Sequence, residues 1–433
     1  MKFTRRIRIL KTVGVIAEYN PFHEGHAYHL REIRKTFGED TRIVAVMSGN
    51  FTQRGDLAVA DKYTRAKAAV LGGCDLVIEL PFPWSGENAE VFARAGVHIL
   101  NALGVVDVLS FGSECGDVSL LSRLADLLSD DDFRESVRQS DKHSSEGYPK
   151  LFYKKASEIT EATEAKALLT ANNLLGIEYI RAIRKFNSDI VPHTVQRVGE
   201  AHASKKLLPM ASSTAIRASL ARGEIDQALD ALPNQVRGVY KDACKDGIFP
   251  VFTDSLSLPY LSYFSLNSPT ADVTIADAGG GLYHRIFAMA KKAVTIEELI
   301  RLTQTKKYTA ARIRRALRNT VLGVTSSDTA EDPSYTTVLA MNSRGQEILR
   351  EIRKKKSFAV LTKPADFPLL PEKAVKQAEA VNRADSLYTL AFPQIRSRGF
   401  FLRHSPFRKS ANEGENFSMT TFVEDVDKAV FEE

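Results

Sequence analysis

The chain has 433 residues, 44% of them hydrophobic and 26% charged, with a net charge of +6. That length is too great for one ordinary domain, and the composition is that of a soluble globular protein. The mild positive excess permits a nucleic-acid partner without demanding one. Three cysteines, Cys74, Cys115 and Cys244, stand far apart. They form no CxxC, which argues against a zinc knuckle or a disulfide framework and suits a reducing cytosol. No apolar run reaches membrane-spanning length. The basic start, MKFTRRIRILK, lacks a long apolar core and a cleavage site, and reads as a solvated arm leading into a strand.

The first half alternates strands and helices. TVGVIAEY has strand length and GHAYHLREIRKTF has helical spacing. RIVAVMSG is a second strand. DKYTRAKAAVLGG is a helix that Asp61 is placed to cap and Gly72-Gly73 to stop. CDLVIELP is a third strand, ENAEVFARAGVHILNALG a helix and VDVLSFGSE a fourth strand. NNLLGIEYIRAIRKF reads as a helix, DIVPHTVQRV as a strand, SSTAIRASLARG as a short helix with a hydroxyl cap, and IDQALDALPNQVRGVY as a helical continuation. This alternation implies an α/β fold, a Rossmann-like parallel sheet with helices on its faces. The sheet domain is expected to occupy residues 1–225, with a mainly helical, basic domain over 226–433. There, YTTVLAMN and FAVLTKP are expected to form a small sheet, and the polar stretch from about Ser405 to be partly disordered.

The chain has nine histidines, and His23, His26 and His29 follow the first strand directly. No Walker sequence occurs and no GxGxxG follows that strand, so a glycine fingerprint does not hold any phosphates here. His23-x-Gly25-His26 instead opens a helix, whose free N–H groups and partial positive charge attract anions. Gly25 lets the backbone approach a ligand, and the two imidazoles add N–H donors. That arrangement suits phosphoryl or adenylyl transfer, in which the protein positions groups and stabilises developing charge. A zinc site is the rival reading, although HExxH is absent, and simple capping of the helix is a third.

NPFHEGH resembles the HxGH signature of the nucleotidylyltransferase superfamily, which is related to class I aminoacyl-tRNA synthetases. The ordered set AEYNPFHEGHAYHL, MSGNFTQRGD, DKYTRAKAAVLGGCDLVIELPF, FGSE, NNLLGIEYI and SSTAIR is similar to the tRNA(Met) cytidine acetate ligase family. The likeness runs from about Val13 to Ser219 and resumes more weakly at GLYHRI and KKYTAARIRRAL. The resemblance implies a reaction of ATP with acetate to give acetyl-adenylate and pyrophosphate. The acetyl group then passes to N4 of the wobble cytidine in elongator tRNA(Met).

On this resemblance His23 and His26 would be catalytic, stabilising charge at the α-phosphate. Ile16, Ala17, Glu18, Tyr19, Asn20, Pro21, Phe22, His23, Gly25, His26 and His29 would line the ATP site. Gly112 lies at a strand's carboxyl end, where a side chain would crowd adenosine. Asn172, with Asn173 as its competitor, could bond ribose or phosphate, or merely cap a helix. Arg197 could grip phosphate, although Gln196 stands before it where the family often has a base. His202 sits in an atypical context that puts any role for it in doubt. Ser212, Ser213 and Thr214, assisted by Arg217, could hold the pyrophosphate end or simply cap their helix. Gln53, Arg54 and Asp56 are candidates for the acetate pocket or for orienting cytosine. Magnesium is expected with ATP, but no carboxylate pair identifies its ligands.

In KKYTAARIRRALRN, Lys306, Lys307, Arg312, Arg314, Arg315 and Arg318 occur with no acid among them. Such a stripe reads as phosphate-backbone contact to tRNA, with Tyr308 available to stack on a base. A solvated helix face is the alternative. Two other functions remain open at this level. One is a nucleotidylyltransferase acting on a small phosphorylated substrate, and the other a non-catalytic RNA-binding protein.

Overall fold

The structure, a computed structural model, describes residues 11–143, 148–197, 211–270 and 274–409. Five parallel strands form its centre: β1 (Thr12–Ala17), β2 (Arg42–Ser48), β3 (Leu76–Leu80), β4 (Val108–Ser113) and β5 (Val191–Gln196). They lie in the order β5-β4-β1-β2-β3. Helices α1 (Glu24–Phe37), α2 (Lys62–Leu71) and α3 (Ala89–Leu103) lie between the first four strands in sequence. The expected strand and helix alternation is present.

β2 shows why these strands read as unbroken apolar runs. Its side chains alternate between faces, and helices cover both. Ile43, Ala45 and Met47 join the core that contains Leu30 and Ile33 of α1 and Val70 of α2. Val44 and Val46 join the opposite core with Val97 and Leu100 of α3. α2 is capped as expected, with Asp61 accepting the amides of Tyr63 and Thr64 at 2.8 and 3.1 Å. At its other end Gly72 faces the Phe22 ring so closely that a Cβ there would lie 2.3 Å from it.

The chain lays β2 and β3 on one side of β1, then returns to place β4 on the other. A crevice opens where the order reverses, outside the carboxyl ends of β1 and β4, and open α/β sheets bind ligands at such a point.

The second half is mainly helical, but IDQALDALPNQVRGVY is two helices, Ile225–Asp230 and Asn234–Lys245, separated at Pro233. The two apolar stretches expected to form a small sheet do not stand apart. Tyr335–Met341 is β6, which pairs antiparallel with β3. Ala359–Leu361 and Phe407–Arg408 are β7 and β8, and both pair with β6. Without β6, the outer edge of β3 would leave a row of unpaired backbone groups. The sheet is therefore completed by chain from the far half of the sequence.

A buried polar knot reinforces this joint. Lys62 Nζ contacts Glu79 Oε1 at 2.9 Å and Asp385 Oδ2 at 2.7 Å, and Asn50 donates to Asp385 Oδ1 at 2.8 Å. A buried lysine is tolerable only with such partners.

Candidate active site

After β1 the chain turns through Glu18–Phe22, with Tyr19 in the left-handed region at φ 46°. A non-glycine residue keeps that conformation only when its surroundings enforce it. Arg65, fully buried on α2, does much of the enforcing. It donates to the carbonyl oxygens of Glu18 at 2.6 Å, Ala60 at 2.8 Å and Ser48 at 3.0 Å, and also to that of Gly49. Asn20 accepts the Val59 amide on its side chain and Arg217 on its carbonyl, both at 2.7 Å. The Phe22 amide donates to the Tyr240 hydroxyl at 3.0 Å. Sequence reasoning missed Arg65; its signal was a charged residue within the alanine-rich buried stripe of α2.

α1 then begins with a capping box built from imidazoles. His23 is the N-cap, and its Nδ1 accepts the Gly25 amide at 3.0 Å. His26 Nδ1 reaches back to accept the His23 amide at 3.2 Å. The two rings overlap, with centroids 3.8 Å apart, and Tyr19 and Phe22 flank His26 at 4.9 and 5.6 Å. Gly25 is required by this packing, because a Cβ would fall 2.8 Å from His23 Cε1. With both Nδ1 atoms accepting, each neutral ring carries its proton on Nε2 and is a donor there.

Burial, then Arg197 and Arg217, lowers His23 to about 4. Burial, then His193 and Arg197, lowers His29 to about 4. Burial, reinforced by His23, Arg197 and His29, puts His26 well below the ordinary histidine value. At neutral pH all three rings are therefore uncharged. Imidazole ¹⁵N spectra are expected to show His23 and His26 as non-titrating Nε2–H tautomers from about pH 5.5 to about 8. A midpoint near 6.5 would mean that the rings are solvated and that this packing is wrong.

The cleft above these rings holds about 300 Å³. Ile16, Ala17, Glu18, Tyr19 and Asn20 form one side of it, and Gly25, His26 and His29 of α1 form its floor. Gly112, Asn172, Arg197 and Ser213 border it from the opposite elements. Four expected site residues do not border it. Phe22 is fully buried against Gly72, and Pro21 is buried within the turn. His23 lies beneath Gly25, 7% exposed, so the capping reading accounts for its Nδ1. Thr214 is turned to Arg217 at 3.3 Å.

The two asparagines take different positions. Asn173 is buried, and its Oδ1 accepts the amides of Glu114 and Cys115 at 2.9 and 3.2 Å. Asn172 borders the cleft and donates to Glu114 Oε1 at 2.6 Å. Ser212 caps its helix through the Ala215 amide at 3.2 Å, which leaves Ser213 for the cleft. Gly112 meets Arg197 Cγ only at an ordinary 3.4 Å from a built Cβ, so what a side chain would take there is cleft space. His202 lies outside the described residues.

Arg54, Arg197 and Arg217 all border the cleft, and Arg54 and Arg197 are exposed. The facing acid, Glu18, accepts the Gln53 amide at 2.7 Å. Its burial outweighs that bond and the nearby arginines and raises its pKa, which weakens the one negative charge among these cations. Donors and positive charge dominate, as a polyphosphate requires. A zinc site finds no support, since both Nδ1 atoms are occupied by amides. Among the described residues no three His, Cys, Asp or Glu gather to hold a metal.

The basic stripe is largely not a free surface. Arg318 is fully buried, donating to Gly86 O at 2.6 Å and Glu87 Oε1 at 2.7 Å. Arg315 is buried against Asp277. Arg314 pairs with Asp56 at 2.9 Å and Glu297 at 3.3 Å, and Asp56 does not border the cleft, whereas Gln53 and Arg54 do. Arg312 donates to the carbonyls of Asp277 and Gly279 at 3.1 and 2.9 Å. The acid-free segment meets its acids from elsewhere in the chain, so these arginines do not form the expected phosphate track. Tyr308 is buried under Lys307 and Arg312 and is not free to stack on a base. Lys306 and Lys307 are exposed.

Residues 10–400 match the family described as HIGH Nucleotidyl Transferase. The tRNA(Met) cytidine acetate ligase of Caldanaerobacter subterraneus subsp. tengcongensis is 36% identical over 394 residues, which cover 88% of this chain and 96% of that protein. The enzyme of the same name from Acetivibrio thermocellus is 34% identical, covering 90% of this chain and 98% of its own. A crystal structure of Thermotoga maritima TmcAL bound with alpha-thio ATP superposes with a TM-score of 0.85 at 29% identity. It covers 93% of this chain and all of that one.

Proposed function

The chain belongs to the tRNA(Met) cytidine acetate ligase family, and from that premise we propose how its residues perform the reaction. It is an ATP-dependent ligase that activates acetate as acetyl-adenylate and acetylates N4 of the wobble cytidine of elongator tRNA(Met), forming N4-acetylcytidine. The observation that carries the residue assignment is the imidazole capping box at the start of α1, on the floor of a cationic cleft at the sheet's switch point.

Adenosine lies along the backbone from Ile16 to Asn20, with Gly112 leaving room for it. The phosphates lie over the N-terminus of α1 and between Arg197, Ser213 and Arg217, and Asn172 reaches the ribose or the phosphates. An acetate oxygen attacks the α-phosphorus and pyrophosphate leaves. His26 donates its Nε2–H to the charge that develops, and His23, stacked on it, orients it. Neutral rings suit this task, because their Nε2–H groups donate hydrogen bonds without giving the proton up. Magnesium bound with ATP would offset the phosphate charge, and among the described residues no cluster of carboxylates is placed to hold it.

The substrate RNA is gripped from the second half, and of the residues first considered Lys306 and Lys307 remain accessible for it. Reversing both to glutamate is expected to weaken tRNA binding and to reduce the slope of log affinity against log salt by about 2. Acetate activation should be unchanged, and an unchanged salt slope would place the grip elsewhere. The reaction takes place in the cytoplasm, which suits three free, separated cysteines. Among the described residues, no helix is long and apolar enough to cross a membrane.

The function is tested by mass analysis of tRNA incubated with the protein, ATP and labelled acetate. The label is expected in one acetylated cytidine, with AMP and pyrophosphate formed alongside. Transfer of an adenylyl group to some other acceptor, with no acetylcytidine, would overturn this reading.

A further inference from the structure

A chain of hydrogen bonds leaves the cleft across the sheet. His29 borders the cleft, and its Nε2 lies 2.9 Å from the Ser110 hydroxyl on β4. That hydroxyl lies 3.1 Å from His193 Nδ1 on β5, an edge strand. Ser110 is 1% exposed, while His193 is only partly buried, with the Phe37 ring packed edge-on against it at 5.0 Å. Among the described residues, neither His29 Nδ1 nor His193 Nε2 has a hydrogen-bond partner. The path therefore has one free nitrogen at each end and a hydroxyl, able both to donate and to accept, in the middle.

We propose that His29, Ser110 and His193 form a proton path that carries off the proton released when the cytidine N4 amine is acylated. The inference rests on the ligase reading above. When the amine nitrogen bonds the acetyl carbon and the bond from that carbon to the adenylate oxygen breaks, AMP leaves and the nitrogen must shed one proton. His29 Nδ1 takes it, and the proton already on Nε2 moves to Ser110 Oγ. The serine's own hydrogen passes to His193 Nδ1, and His193 releases its Nε2 proton to water. Atoms and charge balance with no further reactant.

The charged surroundings favour passage over storage. Burial, His193 and Arg197 hold His29 uncharged, and burial lowers His193 as well. His26 is the other titratable group facing His29, from the same helix, and it too stays neutral. Burial at both ends opposes storing the positive charge of an extra proton.

Ser110→Ala and His193→Ala break the path without touching the adenylation donors. In both, acetate-dependent ATP–pyrophosphate exchange is expected to stay within about twofold of the unaltered protein, which also shows that the fold and cleft are intact. Single-turnover acetyl transfer to tRNA from protein preloaded with ATP and acetate is expected to slow by about 10- to 100-fold. Added imidazole is expected to restore transfer in His193→Ala and not in Ser110→Ala. Transfer at the unaltered rate in both variants would overturn the proposal, as would exchange and transfer falling together, since that marks a tie between strands rather than a path. If the unaltered protein neither exchanged nor transferred, the ligase reading itself would fail.

Discussion

Acetate-dependent ATP–pyrophosphate exchange is expected to fall by about 100- to 1,000-fold when His26 is replaced by alanine, the loss typical of removing one donor to a developing oxyanion. The ring borders the cleft, is held between Tyr19, Phe22 and His23, and is fixed as an Nε2–H donor by the His23 amide on its other nitrogen. His23 needs a different substitution, because alanine would remove its cap as well as the ring that is stacked on His26. Asparagine is among the best N-caps, and its side-chain oxygen can accept the Gly25 amide as Nδ1 does. His23→Asn is therefore expected to keep thermal stability while losing exchange. Full activity in that variant would reduce His23 to a cap. Gly25→Ala approaches the same machinery from the backbone. Its Cβ would lie 2.8 Å from His23 Cε1 and must displace that ring, so exchange should drop although no catalytic group is removed.

The largest effect on stability is expected at Arg318. Its guanidinium, wholly buried, bonds Gly86 O and Glu87 Oε1, packs 5.2 Å from the Phe82 ring centroid and also donates to Asn319 Oδ1 at 2.7 Å. Asn319 in turn donates to Glu87 Oε1 at 2.9 Å. Burial raises the Glu87 pKa and the Arg318 charge opposes it, so the carboxylate depends on this partner. Arg318→Met leaves Glu87 buried and uncompensated, which costs about 3–5 kcal/mol. Thermal unfolding should shift down by several degrees. The double variant Arg318→Met with Glu87→Met should recover much of that loss, because a buried ion pair replaced by apolar groups of similar size is often close to neutral. If Arg318→Met instead kept its stability and lost tRNA affinity, the arginine would belong to the RNA surface after all.

These two residues differ in how visible they were in the sequence. His26 was legible because its chemistry is local. Histidine, glycine and histidine stand within four positions after an apolar run, and the strand-to-helix junction they mark is set by neighbours in the chain. Arg318 was misjudged because its partners are about 230 positions away. An arginine in an acid-free segment looks unpaired when only the segment is considered, and Glu87 is supplied by the turn after β3.

Similar limits applied within the site. The sequence offered Asn172 and Asn173 as alternatives at a ligand site or a helix cap, and helical rotation and the Glu114 loop put Asn172 at the cleft and Asn173 beneath it. It placed Phe22 in the ATP site, but packing puts the ring against Gly72 and away from the cleft. Arg65 and the Ser110–His193 contact drew no attention, since each lies in an ordinary-looking helix or strand and gains its meaning from carbonyls and hydroxyls on other elements.

By itself the sequence determined the α/β alternation, the strand and helix that meet at His23, and the ligase family, because each rests on periodicity or on short ordered motifs whose contacts are mostly local. Only the tertiary structure decided that β6 completes the sheet, that four arginines of the basic stripe are internal ties, and that the imidazoles are neutral donors. Those outcomes depend on desolvation and on long-range pairing of charges and backbone edges, and neither can be evaluated until distant segments are brought together.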